Sequence, residues 1–215
     1  MKHFVLYSIL SMLPALASFG QKSEVPPLSV KLQRFAQACI NADHGLSTSN
    51  ADMVQQAIDS MVALKVGKFE PPRFVYASGD TASLQGHVVF DALSLDSVLM
   101  NDMSGRFSTI DVSKLQNLRG DGADILYSNF AIKPSSSAIF HGRSSGKKEL
   151  FIYAEEGAEL EVVVRDERNG VEGRAKPLPN GGYSFSWDMK RLSTFSVKIT
   201  NPIGKAVSFV VAMNN

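Results

Sequence analysis

From Leu28 onward the apolar residues Leu28, Leu32, Phe35, Ala36 and Cys39 recur at i, i+4, i+7, i+8 and i+11, the spacing of one helix face. The polar stretch Asn41-Ala-Asp-His-Gly45 is expected to stop that helix. Ser47-Thr-Ser-Asn50 then offers caps for a second helix, whose stripe is Met53, Val54, Ala57, Ile58, Met61 and Leu64, and Gly67 with Pro71-Pro72 closes it. Two helices joined by a short polar loop cannot bury both stripes against each other alone. The pattern therefore predicts a helical hairpin packed on the rest of the chain.

Beyond the hairpin the chain alternates with a period of two. Segments 149–154, 160–166, 171–177, 183–187, 195–201 and 207–213 read as strands, separated by turn signals such as Arg168-Asn-Gly170 and Asn180-Gly-Gly182. Tyr183, Phe185 and Trp187 share one face of their strand, while Ser184 and Ser186 share the other. Such a strand has one wet face. By contrast, Leu150 to Tyr153 and Val162 to Val164 are apolar on both faces, as is 207–211 apart from Ser208, which predicts central strands covered on both sides. The cover is expected from the helical hairpin or from 73–134. In that segment 74–77, 84–90 and 124–132 read as strands and 92–100 as a short helix or strand. A structureless connector of that length is improbable inside a compact chain, so 73–134 is assigned to the sheet structure. The fold expected is mainly β: an antiparallel, jelly-roll-like β-sandwich over 73–215, with an N-terminal helical hairpin over 21–72 packed on it.

Ahead of the hairpin the chain reads as an address. Met1-Lys2-His3 is a short basic start, 4–13 is an apolar run, and Pro14-Ala15-Leu16-Ala17 closes with small residues, the three regions of a secretory signal over 1–20. The run is shorter than the roughly 20 residues a membrane-spanning helix needs. Cleavage after Ala17 or Gly20 is expected, with no lipid-bearing Cys nearby and no membrane insertion afterwards. This predicts a secreted or periplasmic location. No Asn outside the signal sits in an N-x-[ST] acceptor pattern, which favours a bacterial source.

The run Gly146-Lys-Lys-Glu-Leu-Phe-Ile-Tyr-Ala-Glu-Glu-Gly157, then Tyr183-Ser-Phe-Ser-Trp187, Val197-Lys-Ile-Thr-Asn201 and Ser208-Phe-Val-Val-Ala212, resembles uncharacterised secreted proteins of the Bacteroidetes type. More loosely, it is similar to GOLD-like and pre-peptidase β-sandwich modules. The resemblance implies a non-catalytic sandwich in the cell envelope. Its motifs are core patterns, and it brings no site residues.

Composition narrows the chemistry. The 215 residues are 44% hydrophobic and 20% charged, with one Cys, 22 Lys+Arg and 21 Asp+Glu. One Cys excludes a disulfide framework. A net charge of +1, which becomes zero once a signal containing Lys2 is removed, gives no long-range field for nucleic acid. Cys39, Asp43 and His44 do not form a thiol site on this reading, because Cys39 belongs to the apolar stripe and His44 to the loop. Gly142-Arg-Ser144-Ser-Gly146 matches the G-x-S-x-G serine elbow, but a strand rather than a helix comes after it and no His lies downstream of His141. A Gly/Ser hairpin turn is the reading adopted for it. Arg119-Gly120-Asp121 spells an integrin-type tripeptide and is read as a simple turn.

His44, His87 and His141 are widely separated and no second Cys exists, so no zinc site is written in the sequence. Asp121, Asp124 and the acidic set Glu155, Glu156, Glu159 and Glu161 follow no calcium-loop pattern. No cofactor or metal is expected. The ligand-binding candidates are the aromatic residues Tyr153 and Trp187, since aromatic platforms on sandwiches stack on sugar rings. Trp187 alternates in phase with Phe185, which also fits a core position. The expected function is non-enzymatic binding or assembly in the envelope, through an apolar or aromatic patch on a second sheet face, with a protein or glycan partner. A carbohydrate-binding module and a hydrolase using Asp121, Asp124 and His141 are the alternatives.

Overall fold

The computed structural model describes residues 28–68, 75–76, 122–154, 158–168, 170–179 and 182–215. The expected signal, Asp121 and the proposed elements within 77–121 lie outside these residues. Helix α1 spans Val30–Ser47, capped by Ser29, whose side chain accepts from the Leu32 N–H at 3.4 Å. Helix α2 spans Ala51–Ala63, capped by Asn50, which accepts from the Met53 N–H at 3.2 Å. The stretch expected to end α1 at Asn41 is helical, because Ala42, Gly45 and Leu46 continue the buried face. Gly45 also lets the two helices approach closely. A Cβ there would sit 2.8 Å from Val54 Cγ2, inside van der Waals contact.

The described residues then form nine strands: β1 (Val66–Lys68), β2 (Val75–Tyr76), β3 (Ile125–Ile132), β4 (Ser136–Ala154), β5 (Glu161–Asp166), β6 (Val171–Arg174), β7 (Lys176–Pro177), β8 (Tyr183–Asn201) and β9 (Val207–Asn214). They run in the order β1-β3-β9-β4-β8-β5-β6, with β2 added on β4 and β7 on β8. Every pairing among them is antiparallel except the parallel β1–β3 contact.

β4 and β8, at 19 residues each, pair along nearly their whole length and belong to two layers. In the first layer, the later half of β4 lies between β9 and the start of β8, through pairs such as Ile152↔Val211 and Ile152↔Tyr183. In the second, the earlier half of β4 lies between β2 and the end of β8, and β5 and β6 extend the sheet. The sheet folds over itself so that Phe130, Ile152 and Phe209 of the first layer share one core with Phe140, Val164 and Ile199 of the second. This is the antiparallel, jelly-roll-like sandwich that the alternation predicts.

The first layer is covered on its other face too. Ile125, Tyr127, Phe151, Tyr153, Val210 and Ala212 point away from the interlayer core and pack with Leu32, Phe35, Cys39 and Met61 of the helices. Segments apolar on both faces, Leu150 to Tyr153 and, apart from Ser208, Val207 to Val211, thus sit between two cores, as their pattern requires. Phe35, fully buried, stands edge-on to Phe151 at 6.3 Å and tilted to Tyr127 at 5.7 Å. Burying each such ring contributes about 1.5–3 kcal/mol. The buried Glu149 carboxylate fixes the entry to α1 by accepting from the Ser29 N–H at 2.9 Å, where a helix N-terminus favours negative charge.

Three sequence expectations change. The run 183–201 is one strand, not two over 183–187 and 195–201, because Met189, Ser193 and Phe195 keep an inward-facing series through 188–194. Gly142 to Gly146 is not a hairpin turn either; it lies inside β4, where the ladder slips between Ser144↔Ser193 and Gly146↔Met189. Val163 is only half-buried, because β5 belongs to the second layer, whose outer face carries no helix among the described residues.

Candidate functional site

The slip in the β4–β8 ladder sets one residue of β4, Ser145, against Lys190, Arg191 and Leu192 of β8. Such a bulge bends the strands, and here the two layers begin to part. Both glycines of the G-x-S-x-G stretch serve this bend. Gly146 takes φ +78°, a conformation that costs a side-chain-bearing residue. A Cβ on Gly142 would run into the Phe195 ring.

Beside the bulge lies a cleft of about 510 Å³, within the range of ligand sites. Its floor is apolar: Leu126 and Met213 from the first layer, Phe140 and Phe195 from the second. Its rim is polar and basic, with His141, Arg143, Ser144, Lys148 and Asn214. The side chain of Asn214 braces the wall by accepting from the Glu149 N–H at 2.8 Å and donating to the Lys147 carbonyl at 3.0 Å. Lys148 is half-buried, and desolvation pulls its ammonium below the usual lysine range. Its nearest hydrogen-bond acceptor is the Asn214 carbonyl at 3.5 Å. No Asp or Glu side chain lines the cleft among the described residues.

The candidates named from sequence fall elsewhere. Tyr153 is 8% exposed, lies under α1, and donates its hydroxyl to Asp43 at 2.9 Å. Trp187 is 7% exposed and packs between Phe185 and Phe195, with its indole N–H buried and lacking an acceptor. Neither ring offers a platform to a sugar. Asp124 and His141, the described members of the hydrolase alternative, face different partners: Asp124 pairs with Lys31 at 2.8 Å, and His141 Nδ1 lies 3.3 Å from Glu167. Ser144 and His141 share the cleft but not a hydrogen bond, so no base is set on that hydroxyl.

Cys39 is fully buried, and burial, reinforced by the charge of Asp43, pushes its thiol far above the usual range. The apolar patch expected on a second sheet face is reduced to Val75, Ile139 and Val163, the last two half-buried, in a row that Lys198 interrupts. The helices cover one outer face, and around that row the other presents the polar residues Ser137, His141, Thr200, Glu161 and Arg165. No three His, Cys, Asp or Glu side chains converge among the described residues, and none of the described helices is long and apolar enough to cross a membrane.

No family model and no curated protein matches this chain. Among solved structures, it is similar over 42% of its length to the Yersinia pseudotuberculosis-derived mitogen, covering 84% of that chain at 12% identity and a TM-score of 0.34. The periplasmic inhibitor of g-type lysozyme from Aeromonas hydrophila matches over 44% of this chain and 89% of its own, at 8% identity and a TM-score of 0.34. A family 29 carbohydrate-binding module matches over 41% and 70%, at 8% identity and a TM-score of 0.28.

The cleft was hidden from the sequence because its walls come from strands far apart in the chain. The one local signal was the pair of glycines around Arg143 and Ser144. A pair of that kind inside a strand pattern marks a bulge.

Proposed function

We propose that the protein is an exported, non-enzymatic binding protein that takes its partner at the cleft beside the β4 bulge. Export rests on the three-part pattern of 1–20. The observation that carries the binding role is the joining of an apolar floor to a polar rim in a cleft with no paired nucleophile and base. A protein segment suits this cleft better than a glycan. Its rings, Phe140 and Phe195, are buried at 1% and 3% exposure and stand edge to face, and no Asp or Glu side chain lines it among the described residues.

The test is amide chemical-shift mapping of the full chain, titrated in parallel with mixtures of extended peptides and of neutral oligosaccharides. Peptides are expected to shift residues 140–148 and 213–215 and to be recovered intact. Shifts confined to the outer-face row Ile139, Lys198 and Val163, a response to oligosaccharides alone, or turnover of the peptides would overturn the reading.

A further inference from the structure

We infer that the cleft recognises a carboxylate-bearing side chain, Asp or Glu, on an extended acidic segment of a partner protein, with Arg143 and Lys148 as its counter-charges. The inference rests on the binding reading above and adds the chemistry of the ligand.

Its basis is an imbalance of charge at the bend. Arg143 and Lys148 both line the cleft, and neither holds an ion pair among the described residues. The neighbouring acids face groups other than these two cations. Glu149 accepts from the Ser29 N–H and lies 3.3 Å from Lys147 Nζ. Glu167 lies 3.3 Å from His141 Nδ1. Asp166, buried, accepts from the Ser193 hydroxyl at 2.8 Å and from the Arg168 N–H at 3.1 Å. Lys190 and Arg191 protrude from the facing strand at the same bulge, both exposed, beside the 50% exposed Leu192. Asp188, across from Lys147, is the one acid exposed on that stretch of β8.

An ammonium half removed from water with only a long hydrogen bond to a carbonyl is a group whose desolvation has no compensating charge. A ligand carboxylate supplies that charge. The arginine adds a planar fork that takes a carboxylate through two parallel hydrogen bonds. The half-buried Leu126 and Met213 of the floor receive the side chains that flank the acid in a peptide. Isolated inorganic anions would leave that floor unused.

The test uses the full chain and capped peptides with a central Glu-Leu-Asp, compared with Gln-Leu-Asn isosteres. Binding is read from Trp187 emission, because Trp187 touches the cleft ring Phe195 at 5.4 Å, and from calorimetry. The acidic peptide is expected to bind saturably, at least tenfold tighter than its isostere, with the gap narrowing as salt rises. Arg143→Gln and Lys148→Met, checked for unchanged thermal melting, should each remove most of that preference. Arg143→Lys should keep part of it.

Equal binding of the two peptides at 140–148 would overturn the inference while leaving the binding reading in place. Loss of all binding at the cleft would remove both. Inorganic phosphate or oligogalacturonate competing as well as the peptide would also overturn it, the first showing an adventitious anion site and the second an acidic glycan site. Preference for the acidic peptide that survives the Arg143→Gln/Lys148→Met double variant would assign the recognition to other residues and overturn it equally.

Discussion

If α1 is part of the same cooperative unit as the sandwich, removing one of its ring contacts should weaken the interlayer core it never touches. Phe35→Ala makes that test. Phe35 is fully buried between Tyr127 and Phe151, and Phe151 alternates along β4 with Leu150 and Ile152, which belong to the other core. Emptying a buried Phe site costs about 3–5 kcal/mol, of which each lost ring pair accounts for about 0.5–1.5 kcal/mol. Against a total of roughly 5–15 kcal/mol for a domain, the loss is large and easily measured. Urea unfolding should be followed by far-UV circular dichroism, which reports the helices, and by emission of Trp187, the chain's one tryptophan, which lies in the interlayer core. Both transitions should move to lower urea together. A helix signal that melts early while the Trp187 transition keeps its wild-type midpoint would refute the single-unit account.

Three further outcomes rest on individual residues. Burial raises the Glu149 pKa, but the Ser29 hydrogen bonds and Lys147 outweigh it, so the folded carboxyl sits below its usual range. Its stabilisation is therefore present above about pH 4.3 and lost as pH falls through the lower folded value; Glu149→Gln should cost about 1–3 kcal/mol at neutral pH and flatten the acid limb of a stability–pH curve. Cys39 should react with a thiol reagent near neutral pH only as fast as the protein opens, and at once in urea; fast labelling of the native protein would contradict its burial. Gly142→Ala should lower the melting point through its clash with Phe195, by about 1–3 kcal/mol. Gly146→Ala should cost about 1 kcal/mol through its backbone alone, having no neighbour within 4 Å of a Cβ; equal effects would point away from this reason for each glycine.

The two-core arrangement was legible because local alternation records it directly. Leu150-Phe151-Ile152-Tyr153 is apolar at every position, and each face of that run meets a different core. The stripe Leu32, Phe35, Ala36 and Cys39 likewise announced the helix that covers Phe151 and Tyr153. What escaped the sequence depends on partners distant in the chain. The three-residue β1 carries no alternation of its own and exists through its parallel register with Ile125 to Tyr127. The continuity of β8 through Lys190, Arg191 and Leu192 was masked because these three exposed residues break the alternation; they are the outer side of a bulge. The site candidates Tyr153 and Trp187 were chosen for their rings, and the same apolar surface drew both into the cores. Arg143 and Lys148 gave no signal, because their meaning lies in the acids around them facing other groups.

The central claim, that the cleft at the bulge is where this protein meets a partner, is tested most directly by site-specific photo-crosslinking in the producing cell. A photoreactive residue placed at Ser144, in the cleft, should yield a discrete protein adduct that the same group at Thr200, on the outer face of the second layer, does not. A discrete adduct from Thr200 with none from Ser144 would contradict the account.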